Sequence, residues 1–465
     1  MNQNLGRACC PNMGRSLSSA TNLLHAVSAN EEIESCGDNI IIDEITEVEP
    51  TSVILKYCKR RFLRPYVCIL GLVGLRPNAV DVDLGTLLGH LHSIIVLLLL
   101  LGGYVLQYLS GFRRDRGFLE PELPAVDPQS NGSGTTSPAV SDATTIKPSI
   151  GTIMRAALAN GGEGIFSHII PAMLHLGGYV IAVYIYRFAD NEHLQCLIER
   201  VFILSSAPRR LVATLWVYFV LGVLWLSCST AYNCLMLEEQ SQAITHLKWT
   251  GDLNPTGRDC VRGLLCLALF LNDLVQTVII ISYSLTCYLL RCYLQGLKEK
   301  LLLHTIEPLN WMREICEFRK LLHHLNRKIS IPVCCLTLVN LSYTFSSIVH
   351  LFRDMNTCPV KMFSFTAANL LLWIIISLTP FYQAASLTIS CRQTQTCGHL
   401  ISIRPFVHRN TSSEDLNTVL LYASSLQMSA KLFRVPISAH YLCFFVFVCA
   451  VGILTFGMCL TLDGV

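Results

Sequence analysis

The sequence predicts an all-α polytopic membrane protein of seven transmembrane helices, with a cytoplasmic N-terminus, an extracellular C-terminus and a cytoplasmic helical layer. Three observations predict it. Apolar residues make up 52% of the 465 residues and charged ones 14%, where soluble domains carry about 25% charge; mean hydropathy is +0.47. Seven long runs, uncharged but for one aspartate, approach or exceed the roughly twenty residues that a span needs. Basic residues gather on alternate connections, which fixes orientation.

Residues 1–51 read as a disordered cytoplasmic segment, rich in Ser, Asn and Gly and acidic from Glu31 to Glu49. Cys9 and Cys10 are palmitoylation candidates, or simply free thiols. No signal peptide opens the chain, so the first span is expected to act as its own insertion signal. From Ser52 the chain turns basic and apolar. Lys59, Arg60, Arg61 and Arg64 make this an interfacial lead-in to the membrane domain, residues 52–465.

The spans are read at about 84–110, 164–186, 211–236, 263–290, 331–352, 363–390 and 436–462. Pro332 and Pro436 fall near helix starts, where a missing N–H costs nothing, whereas Pro171 and Pro380 fall inside runs and are expected to kink them. With the N-terminus inside, the cytoplasmic connections and lead-in outnumber the opposite set in Lys and Arg by more than two to one. Arg113, Arg114 and Arg116 fall on the outer side. The outer loop after the first span is Pro/Ser/Gly/Thr-rich and carries the sequon Asn131-Gly132-Ser133, a glycosylation acceptor. A second sequon at Asn410 falls inside and is expected to stay unused.

Two cytoplasmic segments have helical periodicity. One runs from Cys292 to Lys328, with Leu294, Leu297, Leu301, Ile315, Phe318 and Leu322 on its apolar positions; the other runs from Glu414 to Leu432. They are expected to pack together below the membrane. The 21 cysteines fall mostly inside apolar runs, as small hydrophobes rather than ligands, and no C-x-x-C pair or Cys/His spacing suggests a metal.

Asp273 is the one charge deep inside a span, and an intramembrane carboxylate marks either a function or a buried pair. Gln276 lies near its face three residues along, with Asn272 adjacent. The topology sets Tyr343, Ser347 and His350, Asn369 and Trp373, and His168 and His175 at the same depth. An apolar cavity with a few aimed polar groups is what a small-molecule site needs. The same groups also serve interhelical hydrogen bonding, and both readings stand at this stage.

The lead-in Leu63-Arg64-Pro65 through Gly71, Gly74-Leu75 and Pro77, the seven-span spacing, the inside N-terminus and a cytoplasmic helix running straight into the last span resemble the arthropod gustatory receptors, part of the insect-type chemoreceptor superfamily. The resemblance covers most of residues 52–465. That family's motif on the last helix is Thr-Tyr, five apolar residues, then Gln-Phe. Here the positions hold Thr455-Phe456 and, after five residues, Leu462-Asp463.

The resemblance implies a ligand-gated non-selective cation channel, a homo- or heterotetramer with related receptors, in the plasma membrane. It implies a tastant or odorant-like small molecule bound in each subunit's outer half, contact with membrane lipid, and a pore lined by the last helix. Asp273, Gln276, Tyr343, His350, Asn369, Trp373 and His168 are then the candidate ligand residues. Phe444, Val448, Val451 and Thr455 would line the pore, and Asp463 would attract cations at its outer mouth. No cofactor, metal or nucleic-acid partner is implied. The changed motif leaves open a non-conducting relative.

Other classes fit less well. A G-protein-coupled receptor needs the opposite orientation, and the third span ends in Ala231-Tyr232-Asn233 rather than an Asp-Arg-Tyr-type signature. A transporter would show repeated halves with paired broken helices. An enzyme would show a phosphate loop, a metal cluster or paired membrane carboxylates.

Overall fold

A computed structural model describes residues 51–76, 83–114, 117–118, 168–189, 193–205, 207–239, 255–303, 305–353, 360–396, 413–440, 442–443 and 446. Among them the chain is an all-helical membrane protein with two very short hairpins. The tail before Thr51, the loop bearing Asn131, the sequon at Asn410 and the last run beyond residue 446 lie outside the described residues.

The lead-in is helical: α1 (Thr51–Cys58), a π turn (Lys59–Leu63) and α2 (Arg64–Leu72). Gly74 ends it with φ at +76°. Its N–H bonds Gly71 O and the Leu75 N–H bonds Leu70 O, both at 2.9 Å. These are the two bonds of a Schellman cap, and the fully buried Leu70 and Leu75 supply its apolar contact. The Gly-Leu-x-Pro pattern of the sequence is therefore a helix stop. The remaining carbonyls are taken up by neighbours: the Tyr179 hydroxyl donates to Val73 O at 3.0 Å, and Arg187 Nε and the Ser93 hydroxyl donate to Gly74 O.

Among the described residues, five helices are long and apolar enough to cross a membrane: Gly89–Ser110, Pro208–Glu239, Thr256–Leu302, Leu309–Val349 and Ser364–Gln395. They belong to α3 (Asp83–Ser110), α6 (Pro208–Glu239), α7 (Pro255–Leu302), α8 with α9 (Pro308–His324 and Ser330–Arg353) and α10 (Val360–Gln395). Between α3 and α6 lie α4 (Ile170–Tyr184), prolonged by a π turn to Ala189, and α5 (His193–Leu204). α4 itself has 15 residues, and with the π turns on either side helical backbone is continuous over residues 168–189.

Leu91, Leu98 and Val105 on α3 and Val217, Val220 and Val223 on α6 are exposed, a belt suited to lipid rather than water. α7 is the axis of the bundle, packing against α3, α5, α6, α8 and α10. Its 48 residues make a rod about 72 Å long, more than twice the hydrocarbon thickness. α6 approaches it at Gly222, where a Cβ would sit 2.0 Å from Ile281 Cδ1.

Beyond the membrane the expected helical layer is present. Leu294, Leu297 and Leu301 of α7, Trp311, Ile315 and Phe318 of α8, Leu197, Ile198 and Val201 of α5, and Val419 and Ala423 of α11 (Ser413–Ser425) share one buried core. Trp311 meets Tyr422 edge-on at 6.5 Å.

Two local expectations need correction and a third is refined. Pro171 sits in the first turn of α4 rather than in its interior. Pro332 is the third residue of α9, near a helix start as expected, but that start is not a free end, because α8 runs into it through a π turn (Leu325–Ile329). Pro380 does lie inside α10. The other correction concerns α11, which does not run straight towards the last span. The Ser424 and Ser425 hydroxyls bond back to Leu421 O and Tyr422 O at its end. A hairpin follows, β3 (Lys431–Leu432) against β4 (Val435–Pro436), turning through Phe433 and Arg434 at φ +53° and +63°. Helical backbone resumes at Ala439.

Candidate ligand site

The middle of α7 buries an unusual run of polar side chains: Asn272, Asp273, Gln276 and Thr277 are each no more than 3% exposed. Asp273 needs a cation there, since an unpaired buried carboxylate is costly. Arg114 supplies it. Gly111, at φ +62°, turns the chain out of α3, and the residues that follow fold back as a two-pair hairpin, Phe112 opposite Phe118 and Arg113 opposite Gly117. We number its strands apart from β3 and β4, as β1 (Phe112–Arg113) and β2 (Gly117–Phe118).

This return carries both arginines inward. Arg113 donates to the Ser346 hydroxyl at 3.4 Å, and the Arg114 guanidinium pairs with Asp273 Oδ1. The other carboxylate oxygen accepts from the Ser229 hydroxyl at 2.8 Å and from Asn233 Nδ2 at 3.4 Å, both on α6.

Most of the residues singled out by the sequence gather around this guanidinium. It lies over the Trp373 ring, 4.8 Å from the centroid. Tyr343 stands against Trp373 at 4.9 Å. Asn369 Nδ2 donates to the Arg114 carbonyl at 3.4 Å. His168 meets Tyr108 edge-on at 5.8 Å and His175 meets Tyr104 at 5.7 Å. Gln276 is buried one turn from Asp273, and neither of its side-chain polar atoms has a partner. The His350 side chain lies outside the described residues, as do Phe444, Val448, Val451, Thr455, Asp463 and Asn131.

The assembly is a knot rather than an open pocket. The void left among Tyr104, Gln107, Arg113, Arg114, His168 and Tyr343 is about 20 Å³, room for about one water. The basic residue that fills it was assigned by the sequence to an outer loop. A buried carboxylate demands a cation, and Arg113-Arg114-x-Arg116 was the basic cluster following the first span; that demand was the available signal.

A larger cavity of about 660 Å³ lies between α6, α7 and α10, with Leu442 and Val446 at its edge. Its size is that of small-molecule pockets. The walls are apolar except at a few points, among them a hydrogen bond of 3.3 Å from Gln383 to the Tyr218 hydroxyl. Leu221, Leu224 and Ile375 line it and are also exposed on the bundle surface, so it opens where lipid would be. Trp225, Ile280, Leu372 and Ile376 form the wall it shares with Tyr343 and Trp373. One layer of side chains separates the cavity from the ring that carries Arg114. Among the described residues no group of three or more His, Cys, Asp or Glu could hold a metal ion.

Compared with protein-family models and with curated proteins, the chain matches none.

Proposed function

We propose that this protein is a small-molecule receptor of the arthropod gustatory-receptor type, acting as a ligand-gated non-selective cation channel in the plasma membrane. It is inserted with its N-terminus inside and works as a tetramer. The observation that carries this reading is the 660 Å³ apolar cavity among long membrane helices, one side-chain layer from a buried charge pair. A transporter or enzyme would need polar groups converging on a pathway or reacting centre, whereas this cavity offers an apolar volume with a few hydrogen-bonding groups. Such a cavity suits a lipid-soluble tastant or odorant-like molecule entering from the bilayer. Its occupancy would shift Trp225 and Ile376, and through them the Trp373 ring beneath Arg114. The last helix, beginning beside the cavity at Leu442 and Val446, would convert that shift into pore opening.

The test is whole-cell recording from expressing cells with a panel of neutral volatile and lipid-soluble compounds. Ile376→Trp, which fills the cavity, should lower sensitivity at least tenfold while surface expression is retained. Unchanged dose–response curves in that variant would remove the cavity from the mechanism. A second reading has its own support: Leu462 and Asp463 stand where the family motif has Gln and Phe, so the chain would bind ligand without conducting. Saturable ligand binding to a purified chain that carries no current in any subunit combination would favour it.

A further inference from the structure

Arg114 has an unusual status among the residues of the knot. The carboxylate and the aromatic rings around it stand on membrane helices: Tyr104 on α3, Asp273 on α7, Tyr343 on α9 and Trp373 on α10. The cation alone arrives on a loop. That loop is a hairpin of two residue pairs, too short to be stable by itself, and the left-handed glycines Gly111 and Gly117 flank its turn.

Asp273 does not depend on the arginine for its orientation, because the Ser229 hydroxyl and Asn233 amide on α6 hold Oδ2. An ion pair serving only packing could be replaced by apolar side chains at little cost. Here a pre-oriented carboxylate and an aromatic ring share one guanidinium, which lies at cation–π distance over the ring, the arrangement that recognises organic cations. Hydrogen-bonding capacity is also left over. Both polar side-chain atoms of Asn272 and of Gln276, and Trp373 Nε1, have no partner, and all three residues are at least 98% buried.

We propose that Asp273, Trp373, Tyr343 and Tyr104 form a binding site for a small organic cation of guanidinium or primary ammonium type, which Arg114 fills in cis. A free cation of that chemistry competes with the arginine side chain and releases the hairpin. This site is distinct from the apolar cavity. It depends on the receptor reading only for its physiological meaning, since occupancy of the cage can be measured without any current.

The probe is methylguanidinium, with the full-length chain in nanodiscs. In Arg114→Met the thermal midpoint should fall, and millimolar methylguanidinium chloride should restore it saturably; equal sodium chloride should not. Arg114→Met/Asp273→Asn, which removes the anion as well, should show no such rise. A tethered side chain competes at an effective concentration of order millimolar or above, so the wild type should respond only at roughly tens of millimolar. There the readout is faster amide deuterium uptake in the peptide spanning residues 111–118. This wild-type measurement stands even where Arg114→Met fails to fold. The proposal is overturned if methylguanidinium leaves the Arg114→Met midpoint unmoved, if the double variant is rescued equally, or if hairpin exchange in the wild type is unchanged.

Discussion

At the scale of single residues, Asp273 and Arg114 set the character of the bundle around the middle of α7. A carboxylate at 0% exposure and its buried arginine neutralise each other, but each is costly alone. Asp273→Asn should therefore destabilise the protein by about 3–5 kcal/mol, because the guanidinium loses its counter-charge inside the bundle. Adding Arg114→Met should recover most of that loss. Thermal or denaturant unfolding of the two single variants and the double variant gives the coupling, and additive losses would mean that the two side chains are not paired. Asp273 was legible in the sequence because a charge stands out in an apolar run. Its partner was not, because 158 residues of sequence separate the two and the loop after a span is normally solvated. Tyr343, Asn369 and Trp373 were legible by depth alone. Trp225, Ile280 and Ile376 were invisible, since a cavity wall of ordinary apolar residues has no pattern of its own until the helices are placed.

At the scale of elements, periodicity identified the apolar faces of the helical layer: Ile315, Phe318, Leu322, Val419 and Ala423, all chosen by spacing, are buried together. It failed where non-local bonds override it. The segment after Ser425 keeps apolar spacing through Leu432, yet its backbone groups bind elsewhere. Ala430 N bonds the Thr388 hydroxyl, Lys431 N bonds Asn326 Oδ1 and Asn326 Nδ2 bonds Ser429 O. Those tethers to α10 and to the π turn before α9 hold the hairpin in a two-residue turn with both central residues left-handed, a conformation that normally calls for Asn and Gly. Phe433 is retained by stacking on Phe381 at 6.2 Å, whereas Arg434 is exposed. Arg434→Gly should then relieve strain and stabilise the protein by roughly 1 kcal/mol, a rise in thermal midpoint. A fall would show that the arginine makes a contact worth more than its backbone strain.

At the scale of the whole molecule, orientation decides which functions are open to the chain. A cytoplasmic N-terminus is incompatible with a G-protein-coupled receptor and agrees with the chemoreceptor plan. The structure supports the membrane character through its apolar belt, but lipid-facing residues carry no information about which end is inside. The charge bias does: Arg291, Lys298, Lys300, Arg313, Arg319, Lys320, Arg327 and Lys328 all cluster on the connection from α7 through α8 to α9. Moving so many cations across a bilayer is unfavourable, and the proposed orientation therefore puts this layer on the cytoplasmic side. In that proposed orientation the connection after α3 is outside and the one after α10 inside. Asn131 and Asn410 stand on those two connections, and oligosaccharide transfer occurs only on the luminal, later extracellular, side. Glycosidase treatment of the expressed protein should therefore increase gel mobility by one glycan, and Asn131→Gln should abolish the shift while Asn410→Gln leaves it intact. A glycan on Asn410 would invert the molecule, place the α7–α8 layer outside and turn the functional reading towards a receptor signalling through a cytoplasmic C-terminus.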